Sequence, residues 1–152
     1  MQHDHYARLA AMILLSFVSM YVLMYAMVHT ANDVHQNLNQ VYMAGLMTAP
    51  MVLIELALMR RMYQNGRLNR VILAAAVVAG VLSFLGIRQQ AAITDAQFLR
   101  SMIPHHSGAI LMCQEAHIQN TAIRELCTSI IASQQQEIDQ MRRLLQEVDG
   151  RP

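Results

Sequence analysis

The chain has 152 residues, of which 55% are hydrophobic and only 14% charged, well below the roughly one-quarter charged residues of a soluble domain. Its net charge is +1, and all eleven basic residues are arginines scattered along the chain. No basic stripe exists to neutralise phosphates, which argues against a nucleic-acid partner. The acids are uneven as well: Asp4, Asp33 and Glu55 stand alone before residue 88, and seven of the ten follow. An apolar part comes first and a polar part second.

Residues 9–28 carry no charge and, at ~1.5 Å per helical residue, are long enough to cross hydrocarbon. No short apolar core with a small-residue cleavage site appears, so the run reads as a span rather than a signal peptide. A second span covers 41–59, interrupted by Pro50 and Glu55, and a third covers 71–87 between Arg70 and Arg88. Residues 1–90 therefore read as a three-helix anchor in membrane lipid. Arg60, Arg61, Arg67 and Arg70 fall between spans two and three, and positive charge is retained on the cytoplasmic side. The loop before span two holds Asp33 and His35 and no arginine. It should face outward, which predicts a bacterial inner-membrane protein with its N-terminus in the cytoplasm and everything after Ile87 in the periplasm.

Met43, Met47, Met51, Glu55 and Met59 recur at every fourth position, and Met12, Met20, Met24 and Met27 lie similarly on the first span. A thioether path for Cu(I) is one reading, since soft sulfur suits that ion. Four-residue steps drift by about 40° each around a 3.6-residue helix, however, and methionine is a common gap filler. Packing is the preferred reading. Glu55, costly at membrane depth, should be protonated and hydrogen-bonded to a neighbouring helix. The opening Met1-Gln2-His3 has the form of an amine and imidazole chelate, but a solvated tail is the plainer reading.

Beyond the anchor, Thr94 and Gln97 have the spacing of a capping box, predicting a helix from residue 94. At 100° per residue Phe98, Leu99, Met102, His105, His106, Ala109, Cys113 and Ala116 share one face, with Met112 at its edge. Pro104 removes an interior helical bond, which predicts a kink beside the histidines. A turn near 118–121 leads to a second helix ending about Val148, ahead of Gly150, and Gln134 and Glu137 interrupt its apolar stripe. In an antiparallel hairpin over 94–149, Cys113 falls opposite Cys127, and Met102, His105 and His106 fall opposite Gln134, Glu137 and Met141. Imidazole and thioether suit copper at low coordination, with Glu137 as a Cu(II) ligand or a group orienting a histidine. The same residues also read as packing and an ordinary helix acid, and spacing alone does not choose.

The pattern Asp95-xx-Phe98-xxx-Met102-Ile103-Pro104-His105-His106-xx-Ala109-Ile110-x-Met112, followed by Gln134-xx-Glu137-Ile138-xx-Met141, resembles the domain of unknown function 305 family over residues 94–145. The resemblance implies a ferritin-like helical fold and, from several periplasmic copper-binding members tied to copper resistance, a copper site. It makes Met102, His105, His106, Met112 and Met141 the ligand candidates for Cu(I), with Glu137 in support. Family members often carry a duplicated unit, whereas this chain has one hairpin whose apolar face lacks cover, so it should dimerise into a four-helix bundle. Cys113 and Cys127 depart from the family pattern. A disulfide is their first reading in an oxidising compartment, and a Cu(I) dithiolate is the second. The function expected is copper sequestration, tolerance or trafficking, with copper-trafficking proteins as partners, and no catalysis. A di-iron enzyme would need Glu-xx-His pairs, and Glu115 is followed by His117 instead. The competing expectation is a small membrane subunit of a larger assembly whose hairpin is structural and metal-free.

Overall fold

In the computed structural model, which describes residues 2–150 with the first two as backbone only, all regular structure among the described residues is helical. Five helices follow in order: α1 Gln2–Leu23, α2 Leu38–Leu58, α3 Gly66–Gln89, α4 Asp95–Glu115 and α5 Thr121–Asp149, with short 3-10 turns at Met24–Met27 and Ala31–Asp33 between α1 and α2. The stretches Asp4–Met27, Leu38–Leu58 and Gly66–Gln89 are each long and apolar enough to cross a membrane. α2 begins three residues before the expected span, and α3 reaches past its expected span at both ends, where capping groups continue it. The Asn65 side chain accepts from the N–H groups of Arg67 and Leu68 at the start of α3, and Gln90, in the left-handed region at φ 49°, closes its end. The Met1-Gln2-His3 chelate considered above involves groups outside the described residues.

The chain divides into two compact units. One comprises the chain up to Met24 together with Asn39–Ala92. Here small residues set the spacing of α2 and α3: a Cβ added at Gly86 would lie 3.0 Å from the Tyr42 ring, and one at Gly80 would lie 3.0 Å from the Ala49 methyl. Close approach at small residues is how lipid-embedded helices gain packing without a hydrophobic drive between them. Leu9, Val52, Leu56, Tyr63 and Ala76 form the buried cluster of this unit. Glu55 lies within the last turn of α2 and accepts a hydrogen bond of 3.1 Å from the Tyr63 hydroxyl. Its partner is thus a phenol from the loop that follows, not a group on a neighbouring helix. Met43 and Met47 on α2 and Met59 just beyond its end are exposed.

The second unit comprises Tyr25–Leu38 and the chain from Ile93 onward. The segment 25–38, which sequence reading left in the anchor, is therefore part of the hairpin's own structure. α4 and α5 pack through Leu99, Ile103, Ile110, Ile138, Met141 and Leu145. The buried face of α4 is rotated from the expected one: Ile103 and Ile110 are fully buried, while Phe98 and Met112 are half exposed. The cause is cover from two sides, α5 on one and the 25–38 segment on the other.

Two local rules give way to that segment. Thr94 caps α4, its hydroxyl accepting from the Gln97 N–H at 3.4 Å, but the Gln97 side chain does not reach back; its Oε1 accepts from the Leu38 N–H at 2.8 Å. Pro104 produces no break, and α4 runs through it as one helix. Its missing N–H frees the Arg100 carbonyl, which accepts at 3.5 Å from the buried Asn37 side chain.

Candidate metal centre

The His-His pair sits on the turn of α4 that is clamped from both sides. His106 is largely buried, with 14% of its side chain exposed, and its Nδ1 lies 3.0 Å from Glu137 Oε2 on α5. The approach is off the axis of the ring N–H, so this buried nitrogen has no aligned hydrogen-bond partner. Burial holds His106 below the usual imidazole pKa; Glu137 pulls it up, and His105 adds to the lowering. A neutral imidazole with a carboxylate beside one ring nitrogen is a form that ligates metal through the other. His105 is exposed, its ring 6.0 Å from that of His106. Met141 is buried in the core cluster and Met102 packs against that cluster. Met112 lies ten residues from Met102, about 15 Å along the helix, and is exposed. The structure thus brings His105, His106 and Glu137 to one level, with Met102 and Met141 in the adjoining core, and leaves Met112 apart.

Cys113 and Cys127 are joined as a disulfide with their Cα atoms 5.2 Å apart. In that form neither is a thiolate ligand. Among the described residues no three His, Cys, Asp or Glu side chains gather as a metal site, so a three-donor site within one chain would draw on a thioether.

Sequence reasoning missed the residues behind the histidines. Ser107, fully buried, donates to Asp33 Oδ2 at 2.7 Å and accepts from the His29 N–H at 2.9 Å. Thr30 donates to the same carboxylate oxygen at 2.8 Å, and Arg142 of α5 pairs with the other. At Gly108 an added Cβ would come within 3.2 Å of the Met27 carbonyl oxygen. The 25–38 segment, the histidine turn and α5 therefore meet at one buried carboxylate. A signal did exist: Asp33 is the single acid in a loop without arginine, and such isolated charges are seldom idle.

Burial would raise the pKa of Asp33, but the Ser107 and Thr30 hydroxyls and Arg142 outweigh it and hold it below the usual carboxylate range. Burial likewise lowers His35, opposed by Asp33 and Asp149 and assisted by Arg142 and Arg100. For both groups the unfolded chain binds a proton more readily than the folded one, so stability rises with pH and is lost on acidification. Acidification should loosen the 25–38 segment in two steps: first as pH drops below about 6.5, where a free histidine charges, and again below about 3.9, where a free aspartate is neutralised. Hydrogen exchange of residues 25–38 at pH 7.5 and 5.5 checks the first step, and equal protection would contradict it.

The chain matches the family described as Domain of unknown function (DUF305) over residues 31–145. That stretch starts within the docked loop and takes in α2 and α3, so it is wider than the 94–145 expected from the motif, and two of the three apolar helices fall inside it. The chain is also 34% identical over 139 residues to an uncharacterized protein of Acanthamoeba polyphaga mimivirus, covering 90% of each. No solved structure matches it significantly. By the extent of the family match, this chain is a member of the DUF305 family.

Proposed function

We propose that the protein is a membrane-anchored binder of Cu(I), taking the ion on the outer face of the membrane, the periplasmic face in a bacterium, for sequestration, tolerance or delivery rather than catalysis. The observation that carries this reading is His106: a largely buried imidazole, held below the usual imidazole pKa by burial, whose Nδ1 lies 3.0 Å from Glu137 Oε2. This is the carboxylate–histidine arrangement that leaves the other ring nitrogen for an ion, with Met102 and Met141 in the adjoining core. Soft and borderline donors of that kind suit Cu(I). His105, His106, Met102 and Met141 would hold the ion, Glu137 would orient His106 and balance charge, and exposed Met112 would serve capture or transfer. Placement of the arginines between α2 and α3 supports the outward direction. A second copy of the chain is the natural cover for the hairpin, as half of a four-helix bundle.

Cu(I) titration of the full-length chain in detergent, against a competing chelator, tests the reading. The triple variant His105→Ala, His106→Ala, Met141→Ala should lose more than roughly a hundredfold in affinity, and Glu137→Gln roughly tenfold, the range seen when groups supporting metal ligands are removed. Equal binding by wild type and triple variant would reject the site.

A further inference from the structure

α4 carries a second stripe besides its buried one. Phe98, Met102, His105, Ala109, Met112 and Ala116 follow a strict alternation of four and three residues, the seam spacing of helices that pack in bundles. Most of this seam lies beside the face that meets α5, Met102 at its margin packing against the shared core. Phe98 is 49% and Met112 53% exposed, and His105 is exposed too. α5 repeats the device, because Ile123, Ile130, Glu137 and Leu144 recur every seven residues. Ile123 and Leu144 are exposed by 48% and 40%, and the Glu137 side chain by 49%.

The contact between His106 and Glu137 sets the register of the pair. It puts Phe98 level with Leu144, His105 with Glu137, and Met112 with Ile130. The open face is therefore three layers deep, apolar at both ends with one imidazole and carboxylate layer between.

We infer that a second copy of this chain packs on this face, and that the His105, His106 and Glu137 layer of each copy completes the metal site of the other. Three features select a second copy as the occupant. Seven-residue stripes on both helices match their own kind, and each hairpin supplies half of a four-helix bundle. A two-fold axis along the helices keeps every layer level, while one across them at the middle layer exchanges the apolar ends; in both cases the polar layer meets its counterpart. With the axis along the helices, α4 of one copy lies opposite α5 of the other and the imidazole of one faces the carboxylate of the other, a complementary pairing that an apolar partner would leave unmatched and costly; the axis across them would set carboxylate against carboxylate and is disfavoured. One copy gathers no three His, Cys, Asp or Glu groups among the described residues, whereas two copies bring four imidazoles and two carboxylates to one level.

The shared site rests on the copper reading, whereas the interface does not, and the test separates them. Full-length protein in detergent is weighed by light scattering and titrated with Cu(I), as wild type and as the double variant Phe98→Glu, Leu144→Glu. Neither position is a ligand candidate. Phe98→Gln with Leu144→Gln is the milder pair, and circular dichroism with thiol counting confirms that the hairpin persists. Wild type should be dimeric and both variants shifted to monomer, with Cu(I) affinity at least tenfold weaker although every candidate ligand remains. A monomeric wild type, or variants that stay dimeric, would overturn the interface. Monomeric variants that bind Cu(I) as tightly as wild type would overturn the shared site. If no protein binds Cu(I), the copper reading and the shared site fall together, while the masses still decide the interface.

Discussion

Asp33→Ala should free the 25–38 segment from the hairpin and cost about 3 kcal/mol, the lower end of what breaking one side of a buried ion pair costs. The lower end applies because the Arg142 side chain is 36% exposed and regains water, whereas Asp33 is 5% exposed. What cannot recover is Ser107: fully buried, its hydroxyl loses the oxygen it donates to at 2.7 Å. A buried donor without a partner is penalised by its full desolvation. Asp33→Asn separates the contributions, since an amide oxygen still accepts from Thr30 and Ser107 while the charge opposite Arg142 is gone. It should cost roughly half as much, about 1–2 kcal/mol. Thermal melts and hydrogen exchange of the full chain provide the readout, with faster exchange expected at 25–38 and across Ile103–Ile110. Unchanged protection of 25–38 in Asp33→Ala would mean that the carboxylate does not hold the loop.

The second large effect belongs to the disulfide. Ser at both Cys113 and Cys127 should destabilise the hairpin by about 3 kcal/mol, the loop-closure value for a bridge spanning about 15 residues; the separation here is 14. Distribution of buried residues makes this end depend on it. The core cluster runs from Leu99 to Ile110 on α4 and from Ile138 to Leu145 on α5, with Ile131 partly buried against it. Toward the turn Ile123 and Leu126 are exposed, so few apolar contacts hold the end of α4 to the start of α5. Exchange should therefore rise mostly at residues 111–130 in the variant, and in wild type under reductant. A uniform rise over the whole unit would point to global rather than local anchoring.

Most of the helical plan was legible because its signals are local. Apolar length marks the three spans, Thr94 and Gly150 mark helix ends, and counting outward from one turn pairs Cys113 with Cys127 and His106 with Glu137. The loop docking was not legible for the opposite reason. Asp33 and Ser107 are 74 residues apart in sequence, and no periodicity links them. Gln97 and Pro104 show the consequence. Each was read by a local rule, a capping box and a helix break, and each instead serves a distant partner: Gln97 takes the Leu38 N–H, and the carbonyl freed by Pro104 takes Asn37. Burial of Ile103 and Ile110 followed from the same cover, which rotates the inner face of α4 away from the stripe that holds Phe98 and Met112.

Because the second unit is assembled from two separated pieces of chain, its order of synthesis matters. Tyr25–Leu38 leaves the ribosome before α2 and α3, while the groups that receive it, Ser107 and Arg142, are added only after both. Asp33 must therefore wait, without Ser107 and Arg142, until the two long apolar helices and the hairpin after them have been made. Any piece expressed from residue 91 onward would never receive its own covering strap, so a soluble fragment would report on an exposed histidine turn that the intact chain never presents.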